Sequence, residues 1–344
     1  MKKNFDLPRG RYAPTPSGHL HIGNARTALV AWLSVRAAGG SFVMRVEDLD
    51  GPRTLPGLAE AVLEDLAWMG LDWDEGPDLG GAFAPYTQSQ RFSHYQEALA
   101  KLAAAGYLFP CSLSRKDLRQ LATAPHGPGI FGGPKPPSAV PPYPKFLRPE
   151  HAAPGQLAAD WFETFLLGDG SAQAIRFRVH DRLVSYSDLL QGELQEQVDE
   201  AVGDFVLKRK DGVWAYQLAV VVDDIAMGIN EVVRGVDLID STARQIQLIE
   251  ALGGDRPTYG HVPMVLNEDG DKLSKRNDAL TIGSLREIGI DPRALIGALA
   301  HSLGLRDTSA PCAAGELVTD FSWQRLHRED WRMPDSFAQD LAGL

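Results

Sequence analysis

The feature that most constrains the fold is the alternation of strand-like and helix-like stretches in residues 10–110. Residues 11–13 form a short strand-like run that enters a Pro/Gly turn, and residues 25–38 follow with the spacing of an amphipathic helix. A β-type run at 41–46 and a second helical pattern at 55–69 repeat this order. Such alternation is typical of a doubly wound parallel sheet, so the sequence predicts an α/β fold of the Rossmann type.

Beyond residue 110 the pattern is interrupted and then resumes. Residues 124–154 are rich in proline and glycine, which favours an irregular segment. Residues 216–223 (YQLAVVVD) form a continuous apolar run, the pattern of a central parallel strand. The last forty or so residues are expected to be helical and less regular. The other predicted elements are strands at 174–184 and 191–198 in an inserted subdomain, a strand at 231–234, and helices at 242–252 and 291–304.

These patterns divide the chain into segments. Residues 1–109 and 211–260 are expected to form the two halves of a Rossmann-type catalytic domain. Residues 110–210 are expected to form an inserted α+β subdomain, and residues 261–344 a polar loop followed by a helical region. Hydrophobic residues make up 44% of the chain, the proportion of an ordinary globular protein.

Charge and cysteine content limit the class of protein. The formal net charge of −11 weighs slightly against a nucleic-acid-binding protein, although a local basic surface can still hold phosphates. Cys111 and Cys312 are too few for a disulfide framework, which is typical of a reducing cytoplasm. No apolar run approaches the ~18 residues of a membrane helix, and residues 1–10 show no secretory signal. We therefore expect a cytoplasmic protein without membrane spans.

The stretch RYAPTPSGHLHIGNAR, which begins at Arg11, carries the strongest chemical signal. A strand ends in a turn of small residues, and His21, Gly23 and Asn24 stand where the next helix begins. The backbone N–H groups and the positive end of that helix favour a phosphate chain, and the histidine can stabilise charge that develops on phosphorus. The alternative is an ordinary turn followed by a helix start.

Charged residues also follow the next predicted strand, in the stretch RVEDLDGPR. Strand ends meet at one edge of a doubly wound sheet, so Glu47 can receive an amino group there while Arg11 pairs with a carboxylate. Tyr216 and Arg234, from the second half of the domain, can bind a second carboxylate. Two arginines and a glutamate around one cleft suit a diacid with one amine. The alternatives are a solvated cluster of Glu47, Asp48, Asp50 and Arg53, and a structural Arg234–Asp237 salt bridge.

A polar loop reads KLSKR at residues 272–276, a string that on its own is also typical of a lysine-rich surface loop. Together with HIGN, about 250 residues upstream, it resembles the KMSKS and HIGH elements of class I aminoacyl-tRNA synthetases of the glutamate type. The resemblance covers residues 9–304. It departs from the family pattern at Asn24, where the tetrad usually ends in histidine, and at Leu273, where the loop usually has methionine.

The resemblance implies ATP, with Mg²⁺, and L-glutamate as substrates. It implies His21 and Lys275 as catalytic residues, with Lys275 neutralising charge on the leaving pyrophosphate. The ATP-binding residues would be His21, Gly23, Asn24, Lys272, Ser274 and Lys275. The glutamate-binding residues would be Arg11, Tyr12, Ala13, Pro14, Thr15, Glu47, Tyr216 and Arg234.

Zinc is not expected, although relatives of this kind often carry it in the inserted subdomain. The positions that match their ligands are Cys111, Leu113, Tyr143 and Leu147, and leucine offers none of the N, S or O donors that zinc needs. Apolar packing of Leu113 and Leu147 is expected instead.

The stretches RVEDLDGPR and YQLAVVVDD look more like the short members of the family than like its standard members. Those short members transfer glutamate to queuosine in the anticodon loop of tRNA(Asp), which implies this tRNA as a partner and recognition of a single-stranded loop. An anticodon-binding domain needs on the order of 100 residues, and the residues after 276 are too few for one. We expect no such domain, and a monomer. The open alternatives are a glutamyl- or glutaminyl-tRNA synthetase that charges a tRNA 3′ end, another adenylyltransferase of the superfamily, and an idle RNA-binding paralogue.

Overall fold

The structure is a computed structural model that describes residues 7–49, 55, 57–114, 116–118, 142–148, 173–273 and 280–343. Its strands are β1 (Arg9–Tyr12), β2 (Ser41–Met44), β3 (Leu108–Cys111), β4 (Ala174–Phe177), β5 (Leu183–Asp188), β6 (Gly192–Gln197), β7 (Phe205–Lys208), β8 (Glu231–Gly235), β9 (Thr258–Val262), β10 (Val265–Leu266) and β11 (Trp331–Arg332). Its α-helices are α1 (Ile22–Ala37), α2 (Leu58–Trp68), α3 (Phe92–Ala104), α4 (Val198–Ala201), α5 (Tyr216–Ala226), α6 (Thr242–Ala251), α7 (Ile282–Glu287), α8 (Pro292–Ser302) and α9 (Phe337–Ala342).

The main sheet has the spatial order β2-β1-β8-β9-β5-β6. All neighbouring strands are parallel except β5 and β6, which form an antiparallel pair at one edge. The chain passes from β1 to β2 on one side and from β8 to β9 on the other, so the strand order reverses between β1 and β8. In doubly wound sheets such a reversal opens a crevice at the carboxyl ends of the strands. The predicted α/β fold is confirmed.

Both faces of the sheet are buried along β2, β1, β8 and β9, as expected for parallel strands. Val43 and Val232 pack into one apolar core together with α3, α5 and α6. Phe42 and Val233, their neighbours along the same strands, pack into a second core with α1, α7 and α8. Residues 28–35 of α1 are buried without a break, which fits a helix enclosed on all sides. The predicted helices at 25–38, 55–69, 242–252 and 291–304 are confirmed, with shifted ends.

One predicted strand is wrong. Residues 216–223 form the first turns of α5 rather than a strand. A continuous apolar run fits a buried helix as well as a buried strand, and here the run is enclosed between α3 and α6. The helix also buries Asp223 and Asp224 at its end, where arginines from other elements neutralise them.

Among the described residues, the inserted subdomain contains fewer of the predicted strands than expected. β3, β4 and β7 form a separate antiparallel sheet. We expected β5 and β6 in the same subdomain, but β5 pairs with β9 and extends the main sheet, a pairing that strand patterns alone do not specify. Residues 119–141 and 149–172, which include most of the predicted irregular segment, lie outside the described residues.

The residues after 304 contain less helix than expected. They form 3₁₀ turns at Ala314–Leu317 and Trp323–Arg325, the strand β11 and the short helix α9. β11 pairs in parallel with β10, so this segment packs back onto the catalytic domain beside the strand that leads to the KLSKR loop. Among the described residues, no helix is long and apolar enough to cross a membrane.

Candidate active site

A cavity of about 1060 Å³ opens at the carboxyl ends of β1 and β8, where the strand order reverses. A smaller cavity of about 310 Å³ lies at the amino ends of the same strands and contains none of the predicted site residues. Every predicted site residue that the structure describes lines the larger one: Arg11, Tyr12, Ala13, Pro14, Thr15, His21, Gly23, Asn24, Glu47, Tyr216, Arg234 and Lys272. Ser274 and Lys275 lie outside the described residues. The ligand-binding roles of all these residues stay predictions.

Arg11 and Glu47 belong to a buried ionic network at one end of the cavity. Arg11 donates from Nε to Asp224 Oδ1 at 3.2 Å. Arg45 bridges Asp224 at 2.8 Å and Glu47 at 3.2 Å. Burial opposes ionisation of Asp224, but Arg11 and Arg45 lower its pKa. Glu47 is only 7% exposed, so the alternative of a solvated cluster is wrong for this residue; Asp50 and Arg53 lie outside the described residues.

Burial raises the pKa of Glu47, against the opposing effects of Arg45 and Arg11. A buried carboxylate whose charge is under-compensated gains from a cation. An ammonium group at this end of the cavity would therefore stabilise the ionised form of Glu47. This electrostatic setting agrees with the predicted contact to the amino group of an amino acid.

Arg234 lies at the carboxyl end of β8 and has a different environment. It donates to His261 Nε2 at 3.1 Å, to Gln245 Oε1 at 2.7 Å and to Thr242 Oγ1 at 2.8 Å. The alternative of an Arg234–Asp237 salt bridge is wrong, because Asp237 pairs with Lys272 instead. Within the described ranges, Arg234 forms no ion pair with a carboxylate, and it is only 5% exposed.

Tyr216 begins α5 and lines the same cavity. Burial raises the pKa of Tyr216, so its hydroxyl keeps its proton at neutral pH. It can donate a hydrogen bond to a bound oxygen atom.

His21 forms the N-cap of α1. Its Nδ1 accepts a hydrogen bond from the backbone N–H of Asn24 at 3.3 Å, so a neutral ring carries its proton on Nε2. A Cβ at Gly23 would lie 3.1 Å from Cε1 and 3.2 Å from Nδ1 of His21, and glycine therefore lets the ring fold over the helix start. The hydroxyl of Tyr12 donates to the carbonyl of Asn24 at 3.3 Å and ties β1 to this turn. The arrangement points a helix N-terminus and an imidazole donor at one region.

Lys272 and Leu273 are the described part of the KLSKR loop. The Nζ of Lys272 lies 2.6 Å from Asp237 Oδ2 in an ion pair whose side chains are 56% and 40% exposed. Such an exposed pair is weak. Because the pair is weak, an anionic ligand at the cavity wall can replace Asp237 as the partner of Lys272.

Several residues of the cavity were missed in the sequence. Arg176, Arg209 and Arg244 add positive charge to its lining, but isolated arginines carry no recognisable motif. The buried Asp188 and His261 support Arg234 from behind. The histidine in the stretch TYGHV, residues 258–262, was the signal available for this pair.

The positions that match zinc ligands form a small apolar cluster. Leu113 and Leu147 pack against Cys111 and Tyr143, which confirms the predicted packing. The thiol of Cys111 lies 3.8 Å from the Tyr143 hydroxyl, which donates to the carbonyl of Leu147 at 3.2 Å. Within the part of the chain that the structure describes, no three His, Cys, Asp or Glu side chains are grouped as metal ligands.

Comparison with known proteins identifies the same family that the sequence motifs resemble. Residues 9–130 and 160–335 match the model of the catalytic domain of class I tRNA synthetases (E and Q). The chain is 46% identical to Glutamyl-Q tRNA(Asp) synthetase of Symbiobacterium thermophilum, over 97% of this chain and 98% of that protein. It is 43% identical to the protein of the same name from Nitratidesulfovibrio vulgaris, over 90% of each chain.

Among solved structures, a glutamate tRNA ligase from Elizabethkingia meningosepticum in complex with its amino acid superimposes with a TM-score of 0.79. It is 29% identical, and the match covers 96% of this chain and 68% of that one. The family match spans both halves of the Rossmann-type domain and every described residue of the candidate site. The chain belongs to the class I aminoacyl-tRNA synthetases of the glutamate and glutamine type, and it is a ligase.

Proposed function

We propose that this ligase activates L-glutamate with MgATP and transfers the glutamyl group to queuosine in the anticodon loop of tRNA(Asp), in the cytoplasm. The observation that carries the proposal is the convergence of Arg11, Glu47 and Arg234 on one cavity with the helix start at His21. Two cations and one anion complement the two carboxylates and the ammonium group of glutamate. The helix start complements a polyphosphate. The names of the relatives at 46% and 43% identity support the acceptor.

In the first step a carboxylate oxygen of glutamate attacks the α-phosphorus of ATP. The new O–P bond forms as the bond to pyrophosphate breaks, which gives glutamyl-adenylate. Glu47 and the two arginines hold glutamate so that attack becomes effectively unimolecular. His21 donates to a phosphate oxygen as charge develops. Lys275 is assigned to the departing pyrophosphate by the family resemblance, and Mg²⁺ enters as part of the nucleotide substrate.

In the second step a hydroxyl of the cyclopentene-diol of queuosine attacks the glutamyl carbonyl. The new ester C–O bond forms as the bond to AMP breaks, and the hydroxyl proton leaves with the phosphate. Arg176, Arg209 and Arg244 line the cavity and supply local positive charge for RNA phosphates, despite the overall charge of −11.

Glutamate activation is tested by ATP–pyrophosphate exchange without tRNA. We expect exchange with glutamate and none with glutamine or aspartate at equal concentration. Exchange with another acid but not with glutamate would contradict the proposal. Failure of exchange with every amino acid would favour an RNA-binding protein without activity.

The acceptor is tested with two forms of tRNA(Asp) that share an intact 3′ end, one with queuosine and one an unmodified transcript. We expect labelled glutamate on the queuosine form alone, and nuclease mapping should place the label in the anticodon loop. Periodate, which cleaves the diol, should abolish labelling. Label at the 3′ end of tRNA(Glu), or equal labelling of both forms, would refute this acceptor.

A glutamyl-tRNA synthetase that charges a 3′ end is the second candidate. The fold similarity to a solved glutamate tRNA ligase favours it. The two candidates share glutamate activation, so only the acceptor experiment separates them.

A further inference from the structure

A buried chain of hydrogen bonds lies behind Arg234. Asp188 Oδ2 lies 2.6 Å from Nδ1 of His261, and both side chains are fully buried. On the other side of the ring, Nε2 of His261 lies 3.1 Å from Nε of Arg234, whose guanidinium lines the cavity. The chain thus connects the interior of the sheet with a predicted substrate contact.

The arginine determines the tautomer of this histidine. A guanidinium N–H only donates, so Nε2 of His261 is the acceptor and the ring proton lies on Nδ1, where it is donated to Asp188. Burial lowers the pKa of His261 and the charge of Arg234 lowers it further, against the opposing effect of Asp188. The ring is therefore neutral and has one defined orientation.

Asp188 is itself held in one orientation. Its Oδ1 accepts from the backbone N–H groups of Leu190 at 3.0 Å, Gln191 at 2.9 Å and His261 at 3.2 Å. Only Oδ2 faces the imidazole. Three backbone donors on one oxygen leave the carboxylate little freedom to rotate.

The remaining contacts of Arg234 restrain it as well. Thr242 and Gln245 accept from its terminal nitrogens, and the amide of Gln245 donates to Gln217 Oε1 at 2.8 Å, which keeps the acceptor oxygen of Gln245 towards Arg234. An arginine has five N–H groups. Among the described residues three have partners, and the two that are left, one on each terminal nitrogen, can bind the two oxygens of one carboxylate.

We propose that Asp188 and His261 are positioning residues for amino-acid recognition: they lock Arg234 so that its two remaining donors face a substrate carboxylate. The inference rests on the proposed glutamate activation and deepens it. Because the locked guanidinium offers donors only, it favours a carboxylate over a carboxamide, whose NH₂ group would meet N–H donors. The pair thus contributes to selecting a diacid.

Asp188→Asn tests the inference with almost no change in shape. The amide oxygen should keep the three backbone donors, so the NH₂ group should face Nδ1 of His261. That ring would then have to accept at Nδ1 and carry its proton on Nε2, against the N–H of Arg234. We expect the KM for glutamate in pyrophosphate exchange to rise ~10- to 100-fold, because buried donors face each other, while the KM for ATP changes less than about 2-fold.

His261→Gln and His261→Asn form a matched pair. The longer amide can reach the Nε2 position and accept from Arg234, whereas the shorter one reaches only the Nδ1 position and donates to Asp188. We expect a rise in glutamate KM of less than about 5-fold for His261→Gln and at least about 10-fold for His261→Asn. Asp188→Asn added to His261→Gln should have no further effect, because no ring is left to change tautomer.

Nitrogen-15 NMR of the imidazole, with His261→Gln to assign it, should show a proton on Nδ1 in the wild type and on Nε2 in Asp188→Asn. A wild-type glutamate KM in Asp188→Asn, equal losses for ATP and glutamate, or an Nε2–H ring in the wild type would overturn the inference. Absence of glutamate-dependent exchange in the wild type would instead refute the proposed function, and the substrate role of the pair with it.

Discussion

Arg11 and Arg234 stand at the ends of neighbouring strands and line one cavity, but their charges are balanced in different ways. Arg11 lies beside the ionised carboxylate of Asp224, which it shares with Arg45. Arg234 is surrounded by the neutral acceptors of His261, Gln245 and Thr242. Both side chains are at most 5% exposed. One arginine is thus part of an internal ionic network, while the other is a buried cation without a counter-ion in the described residues.

This difference in charge balance predicts different contributions of the two arginines to protein stability and to substrate binding. A buried charge that is paired contributes little on its own but is costly to leave without its partner. A buried cation among neutral groups is costly in the empty protein, and a bound anion removes that cost. We therefore expect Arg234 to matter chiefly for the substrate, and Arg11 to matter for the fold as well as for the substrate.

The largest effect is expected for Arg234→Gln. The variant should lose at least ~100-fold in kcat/KM for glutamate, or about 3 kcal/mol, because a desolvated charge–carboxylate contact disappears. Its Tm should stay within about 2 °C of the wild type, since no internal carboxylate loses a partner. Exchange kinetics and calorimetry measure the two quantities.

Arg11→Gln is the matched variant at the other end. It should also lose glutamate affinity, but its free energy of unfolding should fall by about 2 kcal/mol, because Asp224 keeps only Arg45, and its Tm should drop by several degrees. Equal stability losses in the two variants would remove the distinction between the two arginines.

Glu47→Gln should have the next largest effect. The KM for glutamate should rise at least ~10-fold, because a charged hydrogen bond to the ammonium group is lost. Burial raises the pKa of Glu47, so in the wild type glutamate affinity should fall as the pH drops through that raised pKa and Glu47 becomes neutral. The variant should lack this acidic limb. If Glu47→Gln kept the same loss of glutamate affinity at acidic pH, a group other than Glu47 would be responsible for it.

The contrast between the two arginines also marks what the sequence could reveal. Residues next to strand ends, such as Arg11, Glu47 and Arg234, were predictable because the carboxyl ends of parallel strands converge. Their partners were not. Asp224 was expected near the end of a strand and lies instead on the inner side of α5, because an apolar run does not distinguish the two structures.

Long-range pairing explains the rest. The contact of Asp188 with His261 depends on β5 joining the main sheet beside β9, whereas the strand pattern placed β5 in the inserted subdomain. Alternation of side chains specifies which face a residue occupies, but not which strand lies next to it. The sequence therefore predicted part of the ionic network around Arg11 and Glu47, but it did not predict the neutral acceptors around Arg234.

A smaller effect is expected at Gly23, at the start of α1. It shows whether the losses of affinity in the arginine variants are specific to glutamate. In Gly23→Ala the new Cβ would lie 3.1 Å from the ring of His21, so the ring should move and the cap should weaken. We expect kcat to fall ~10-fold, equivalent to about 1.4 kcal/mol, with an unchanged KM for glutamate.

Gly283→Ala is the control for this variant, because the sequence Thr281-Ile282-Gly283-Ser284 begins α7 with the same cap geometry. A Cβ there would have its nearest neighbours at 4.0 Å, so activity should be retained. A loss of activity in Gly283→Ala would show that the effect is not specific to the cap at His21. A raised glutamate KM in Gly23→Ala would contradict the assignment of His21 to ATP and of the arginines to glutamate.

The smallest effect is expected for Asp237→Asn, which releases Lys272 from its exposed ion pair. Because such pairs contribute about 0–1 kcal/mol, the KM for ATP should fall by at most ~5-fold. The KM for glutamate should not change, since Arg234 takes its contacts from His261, Gln245 and Thr242 rather than from Asp237. Lys272→Met should raise the KM for ATP and make the substitution at Asp237 silent. If Asp237→Asn weakened glutamate binding instead, Asp237 would be a counter-ion of Arg234 in solution, and the two arginines would be balanced in the same way.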